Sequence, residues 1–200
     1  MDDEKSTYPL FEVLRRHSVK NMCVHKGLPG LFIEEYCHAA DLVRAAADFP
    51  DLNFIAFHSA FPWEAELVAQ AKAAGVKNLY AEIGSLARLM VKDPARYAVL
   101  IGTLLVGFGP DHILWGTDTP VIGPPNWQIE AFQSFTIPDS FVEQRGYPQL
   151  TPEVKDMIFG RNAARIFGID VPSARRDVED DLHYKLRDDK SAPAARPAPY

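Results

Sequence analysis

The chain has little cysteine. Cys23 and Cys37 are the whole complement in 200 residues. That is too few for a disulfide framework, and both sit among apolar or helical residues, so buried free thiols are expected. A long apolar run is also missing. The longest candidate, residues 97–108, falls short of the roughly 18 residues of a membrane span. Nor is there an excess of positive charge: 21 Lys and Arg stand against 27 Asp and Glu, a net charge of −6. Nucleic-acid binding driven by phosphate contacts needs a basic face, and this balance argues against one. The opening Met1-Asp2-Asp3-Glu4-Lys5 has the wrong charge and polarity for a secretory signal. The expectation is a cytoplasmic protein with a small-molecule substrate and neither nucleic acid nor membrane as partner. What the chain does have is an ordinary globular composition, 47% apolar and 24% charged, which suits one domain or a little over one.

Helical and extended patterns alternate along it. Leu10, Val13 and Leu14 share one face of a helical stretch ending near His17. Residues 19–25 have β character, and Lys26-Gly27-Leu28-Pro29-Gly30 breaks the run. Helical spacing resumes over 38–47 with Leu42, Val43 and Ala46 as its apolar stripe, and 52–58 reads as the second strand. A helix over 63–74 closes at Gly75, a natural left-handed cap. The third strand covers 78–83. Pro94 suits the first turn of a helix over 95–108, and 112–118 is the fourth strand. A proline-rich loop follows, then a helix over 126–134, and Thr151-Pro152-Glu153 opens a last helix that ends at Gly168. Strands at about 30-residue spacing, each followed by a helix, indicate parallel βαβ units. Their continuous apolar character fits strands covered on both faces. From Ser173 the chain turns charged and then Pro- and Ala-rich, so residues 1–172 are expected to form the domain and 173–200 a disordered tail.

Three strands end in a residue able to bind metal or move protons: His25, His58 and Asp118. In parallel βα architecture the C-terminal strand ends share one rim, where active sites are built. Imidazole nitrogen and carboxylate oxygen are ordinary ligands of zinc and similar ions. Each residue alone also has a plainer reading, a hydrogen-bonded structural histidine or an Asp capping a turn, and it is the coincidence of three that points to a site. His17, His38 and His183 lack such placement, and His112 begins its strand at the opposite rim. Glu82 lies near the end of the third strand, where pairing with a nearby Lys or Arg is expected. Trp115, Trp127 and Phe135 suggest either an aromatic-tolerant pocket or simple packing.

Asn21-Met22-Cys23-Val24-His25-Lys26-Gly27 resembles the fifth barrel strand of the amidohydrolase-related family, the metal-dependent hydrolase and decarboxylase branch of the amidohydrolase superfamily. Phe54-Ile55-Ala56-Phe57-His58-Ser59 resembles its sixth strand. Trp115-Gly116-Thr117-Asp118-Thr119-Pro120 resembles its eighth, and Asn162-Ala163-Ala164-Arg165-Ile166-Phe167 its C-terminal helix. The order and spacing of these motifs, across residues 10–169, carry the resemblance. It implies a (β/α)8 fold, of which this α/β chain holds about four parallel strands, the fifth to the eighth. It implies His25 and Asp118 as ligands of a divalent metal, zinc by preference. His58 and Asp118 are then the catalytic groups, with Asp118 also accepting a proton. The family's first-strand His-x-His pair of ligands has no counterpart in this sequence. A complete barrel needs about 250 residues, so an N-terminally truncated hydrolase with an incomplete metal site, inactive in isolation, is expected. The alternatives are a non-oxidative decarboxylase of the same family and a non-catalytic half-barrel. Such a half-barrel would pair with a second copy of itself or with a separate N-terminal half.

Overall fold

Alternating apolar runs and amphipathic stripes give this chain four parallel strands and a covering of helices. The computed structural model describes residues 1–30, 32–179 and 181. In chain order the elements are α1 (Thr7–Arg16), β1 (Asn21–His25), α2 (Glu34–Cys37), α3 (Ala40–Asp48) and β2 (Asn53–Phe57). Then come α4 (Glu64–Ala74), β3 (Leu79–Glu82), α5 (Ala87–Lys92), α6 (Pro94–Phe108) and β4 (Ile113–Leu114). Helices α7 (Thr119–Ile122), α8 (Asn126–Ser134), α9 (Asp139–Arg145), α10 (Pro152–Asp156), α11 (Asn162–Phe167) and α12 (Val171–Glu179) complete the described chain.

The strands form one parallel sheet in the order β1-β2-β3-β4. Side chains alternate across it, as the two-residue period of a strand requires. Phe54, Ala56 and Leu79 point outward and pack with Leu42, Val43, Ala46 and Leu67 of α3 and α4. Ala81 and Ile113 join Leu100, Ile101 and Leu104 of α6. The opposite, inner face carries Ile55, Tyr80 and Leu114, and Ala163 and Ile166 of α11 pack on them. Helix α11 is fastened at the N-terminal ends of the two outer strands. Asn162 Nδ2 donates to the carbonyls of Pro110 and Ile113 at 2.8 Å each, and Asn21 Nδ2 donates to Ile166 O at 2.9 Å. The lower inner face is thereby filled, and its upper part, toward the C-terminal strand ends, stays open as a cleft.

Several expectations need correction. The fourth strand is two residues long rather than seven, because beyond Leu114 the backbone leaves β3. Trp115 N–H bonds instead to Ile158 O at 3.0 Å. Cys37 is buried as expected, but Cys23 is exposed, since it faces the open part of the inner surface. Helix α12 occupies Val171–Glu179 and so carries regular structure across residue 172 into the first part of the stretch read as tail. It buries no residue, and its Ala and Arg content is good helix-forming material. Residue 180 and residues 182–200, including His183, lie outside the described residues. Among the described residues no helix is long and apolar enough to cross a membrane.

The end of β1 is tied to α3 by a buried ion pair. Lys26, 2% exposed, donates from Nζ to Asp41 Oδ1 at 2.6 Å and to Tyr36 O at 2.8 Å. Burial pushes the Asp41 carboxyl up, but the Lys26 ammonium and the chain's amino group outweigh it and hold the value below the usual range. Replacing Lys26 by Met should lower the free energy of unfolding by about 1–3 kcal/mol, because Asp41 is left half-buried with only the chain's amino group beside it. A urea titration at neutral pH measures this. A depressed folded pKa contributes stability that is complete above the unfolded value of about 3.9 and is lost as pH falls through the folded value. Lys26→Met should flatten that part of the acid limb.

Candidate functional site

All three chemistry-bearing strand ends open onto the upper inner face. His25 closes β1, His58 follows β2, and Asp118 follows β4 by a short loop. All three border a cleft of about 540 Å³ walled by Ile55, Phe57, Leu114 and Trp115. They also border an adjoining depression of about 380 Å³. The rings of His25 and His58 lie 4.9 Å apart between centroids, nearly edge to face.

The backbone that presents these groups is left-handed at each of the later loops. His58, Ser59 and Ala60 have φ of +61°, +51° and +56°, Ser85 has +65° and Asp118 has +50°. None of them is glycine, and each such residue costs about 1–2 kcal/mol. Strain of this kind persists only where surrounding contacts over-determine it, and here they do. Phe61 N–H bonds to His58 O at 2.8 Å and Trp63 N–H to Ala60 O at 2.7 Å, closing the turn after β2. Ser59 Oγ donates to Glu82 O at 2.8 Å. Gly27 lies so close that a Cβ there would stand 2.6 Å from the Ala60 carbonyl carbon.

His58 is buried, and its Nδ1 lies 2.9 Å from Gly84 O. A carbonyl only accepts, so Nδ1 carries the hydrogen. In the neutral ring Nε2 is then the free lone pair. Asp118 does not cap the helix it precedes. Its Oδ2 instead accepts a hydrogen bond from Ser85 Oγ, which leaves Oδ1 for other partners. His25 is held by ring contacts with Phe32, 4.4 Å away, and His58. Its pKa lies below the usual histidine range. Burial is the main cause, with the neighbouring His58 and Lys26 adding to it and Asp118 opposing it.

Glu82 has no Lys or Arg partner among the described residues, contrary to the sequence expectation. Its Oε1 accepts the Gly84 N–H at 2.7 Å and its Oε2 accepts the His58 N–H at 3.2 Å. Burial pushes its pKa up, the two N–H donors and the neighbouring His58 imidazole oppose that rise, and the Asp118 charge adds to it. The carboxylate occupies space that glycines leave free: a Cβ on Gly116 would stand 1.4 Å from Oε1, and one on Gly84 2.5 Å.

The two expected metal ligands fit a divalent ion in kind but not in number. His25 offers a ring nitrogen whose pKa burial lowers, and Asp118 offers a carboxylate oxygen, the donors such ions take. Among the described residues, however, no three His, Cys, Asp or Glu side chains converge to hold an ion. Elsewhere the plainer readings hold. His112 Nε2 lies 3.0 Å from Lys77 O and its ring stacks on Tyr80. Trp127 and Phe135 pack against the core, whereas Trp115 both packs on Phe132 and Phe159 and walls the cleft. Sequence reasoning missed Ser85 and the left-handed turn, because no glycine marks either. It also left residues 135–150, which hold α9, without an assignment.

A family model described as an amidohydrolase matches residues 1–169. Among solved structures, an uncharacterized TIM-barrel protein from Bordetella bronchiseptica aligns with a TM-score of 0.59 at 22% identity, over 84% of this chain and 52% of that one. 2,6-Dihydroxybenzoate decarboxylase gives 0.54 at 16%, over 81% and 55%. 5-Carboxyvanillate decarboxylase from Sphingomonas paucimobilis gives 0.51 at 19%, over 84% and 54%. This chain therefore spans about half the length of each, and the likeness is one of fold. No curated protein matches the sequence.

The glycine contacts yield a paired test. Gly116→Ala forces its new Cβ into the Glu82 carboxylate and should cost about 1–3 kcal/mol. Gly160→Ala meets nothing within 4 Å and should be neutral or stabilising by up to about 1 kcal/mol. Thermal denaturation of the two variants beside wild type measures both.

Proposed function

The chain belongs to the amidohydrolase family, and on that premise we propose that it is the second half of a metal-dependent hydrolase barrel. The observation that carries the reading is the meeting of His25, His58 and Asp118 at the C-terminal rim over one cleft. A divalent ion, zinc in this reading, would take His25 and Asp118 as this chain's share of its ligands. It would supply Lewis-acid polarisation when the coordination shell is completed from elsewhere. The residues of this chain have their own tasks. His58 accepts or returns a proton at Nε2, Asp118 accepts one at its carboxylate, and Ser85 holds that carboxylate toward the cleft. Ile55, Phe57, Leu114 and Trp115 exclude water from the substrate.

A second reading, non-oxidative decarboxylation of an aromatic acid, is favoured by the rings of Phe57, Trp115 and Phe167 around the cleft, which suit a planar substrate. The third, a non-catalytic half-barrel, is favoured by the shortfall of metal donors. In each reading the outer edges of β1 and β4 are where a completing half pairs, whether a second copy or a separate N-terminal half. A dimeric mass in solution supports the second copy and a monomeric mass excludes it.

The deciding experiment assays the purified chain with added zinc on an aryl ester or lactone and on an aromatic carboxylate. The chain alone should turn over neither. Together with a polypeptide supplying the first four strands and the missing donors it should act on one of them. His58→Asn and Asp118→Ala should each then lower kcat by about 10²-fold or more. Turnover by the chain alone that is lost with chelator and with Asp118→Ala overturns the half-site reading. No turnover in the complemented protein overturns the enzymatic one.

A further inference from the structure

We infer that Glu82 is a positioning residue for His58: its buried carboxylate clamps the left-handed turn after β2 and fixes which imidazole nitrogen faces the cleft. The inference rests on the reading of His58 as the proton-transferring group.

Three hydrogen bonds form a closed circuit. Glu82 Oε2 accepts from His58 N–H, His58 Nδ1 donates to Gly84 O, and Gly84 N–H donates to Glu82 Oε1. The Glu82 main-chain carbonyl adds a fourth tie by accepting from Ser59 Oγ. One residue of β3 thus grips the backbone on both sides of the imidazole and the carbonyl that sets its tautomer. Both carboxylate oxygens are tied to the backbone, Oε2 to His58 N–H and Oε1 to Gly84 N–H, although Glu82 also borders the cleft. An ion pair does not explain its burial, since no Lys or Arg bonds to it among the described residues. Room has been left for it specifically, because Gly84 and Gly116 each lack the Cβ that would strike Oε1. Its grip also falls on the run of three non-glycine left-handed residues, 58–60, the segment most in need of being held.

A carboxylate accepts in both directions, whereas a glutamine accepts in one and presents N–H to a backbone N–H in the other. Glu82→Gln therefore opens the circuit with almost no change of volume. The test is ¹⁵N NMR of the histidine rings in the full chain at about pH 8, where an ordinary imidazole is neutral. In the wild type His58 should carry its hydrogen on Nδ1. His112, bonded through Nε2 to Lys77 O, should carry one on Nε2 and serves as the internal control. In Glu82→Gln the His58 hydrogen should move predominantly to Nε2. Amide exchange at His58 and Gly84 should quicken by about tenfold or more, with His112 unchanged. A wild-type His58 with its hydrogen on Nε2, or a folded Glu82→Gln with an unaltered His58 signature, overturns the inference. Should Glu82→Gln not fold, Gly116→Ala displaces the same carboxylate without removing it and carries the same two outcomes. Loss of the catalytic reading in the turnover assay leaves the tautomer result standing, so the two failures are distinguishable.

Discussion

Taking a carboxylate out of water costs several kcal/mol unless donors replace the lost hydration. At Glu82 the replacements are two backbone N–H groups rather than a Lys or Arg side chain. Much of the upper sheet follows from that exchange. The donors come from the ends of two strands, so the carboxylate fixes where β2 and β3 stop and how their loops turn. Glycine is required at 84 and 116 because the carboxylate fills the space their side chains would use. The left-handed turn at 58–60 is sustained in part by the same group, and His58 is carried on it. A single buried charge thus links sheet termination, backbone strain and side-chain aim.

The rest of the fold is governed by the two faces of the sheet. The outer face is covered by α3, α4 and α6 with ordinary aliphatic packing. The inner face is divided. Ile55, Tyr80 and Leu114 are covered from below by α11, and the residues above them line the cleft. In a closed barrel the interior is filled by side chains from all the strands. Here a helix from the same chain does part of that filling.

The sequence made the architecture legible where a signal was local and repeated. Continuous apolar runs marked β1 to β3, Gly75 and Gly168 closed α4 and α11 in the left-handed conformation, and Pro94 stood at the first turn of α6. Strand-end position was enough to bring His25, His58 and Asp118 to one cleft. What escaped was set by contacts that leave no pattern. The length of β4 depends on Trp115 finding Ile158. Glu82 reads as a lone carboxylate in an apolar strand, which suggests a basic side chain, because backbone donors are invisible in a sequence. Ser85 is an unremarkable serine until Asp118 stands beside it. Cys23 looked buried because its neighbours in the chain are apolar, whereas exposure was decided by the open face across the sheet.

Helix α11 has a bearing on how the chain is made. It is the cover of the lower inner face, and Asn21 reaches it across 145 positions of sequence. A ribosome adds about 5–20 residues per second, so on the order of ten seconds separate the synthesis of β1 from that of the helix it bonds. Throughout that interval Ile55, Tyr80 and later Leu114 lack the cover that α11 gives them. The nascent sheet is therefore most open to chaperones, or to unwanted strand pairing, just before its last described helices emerge.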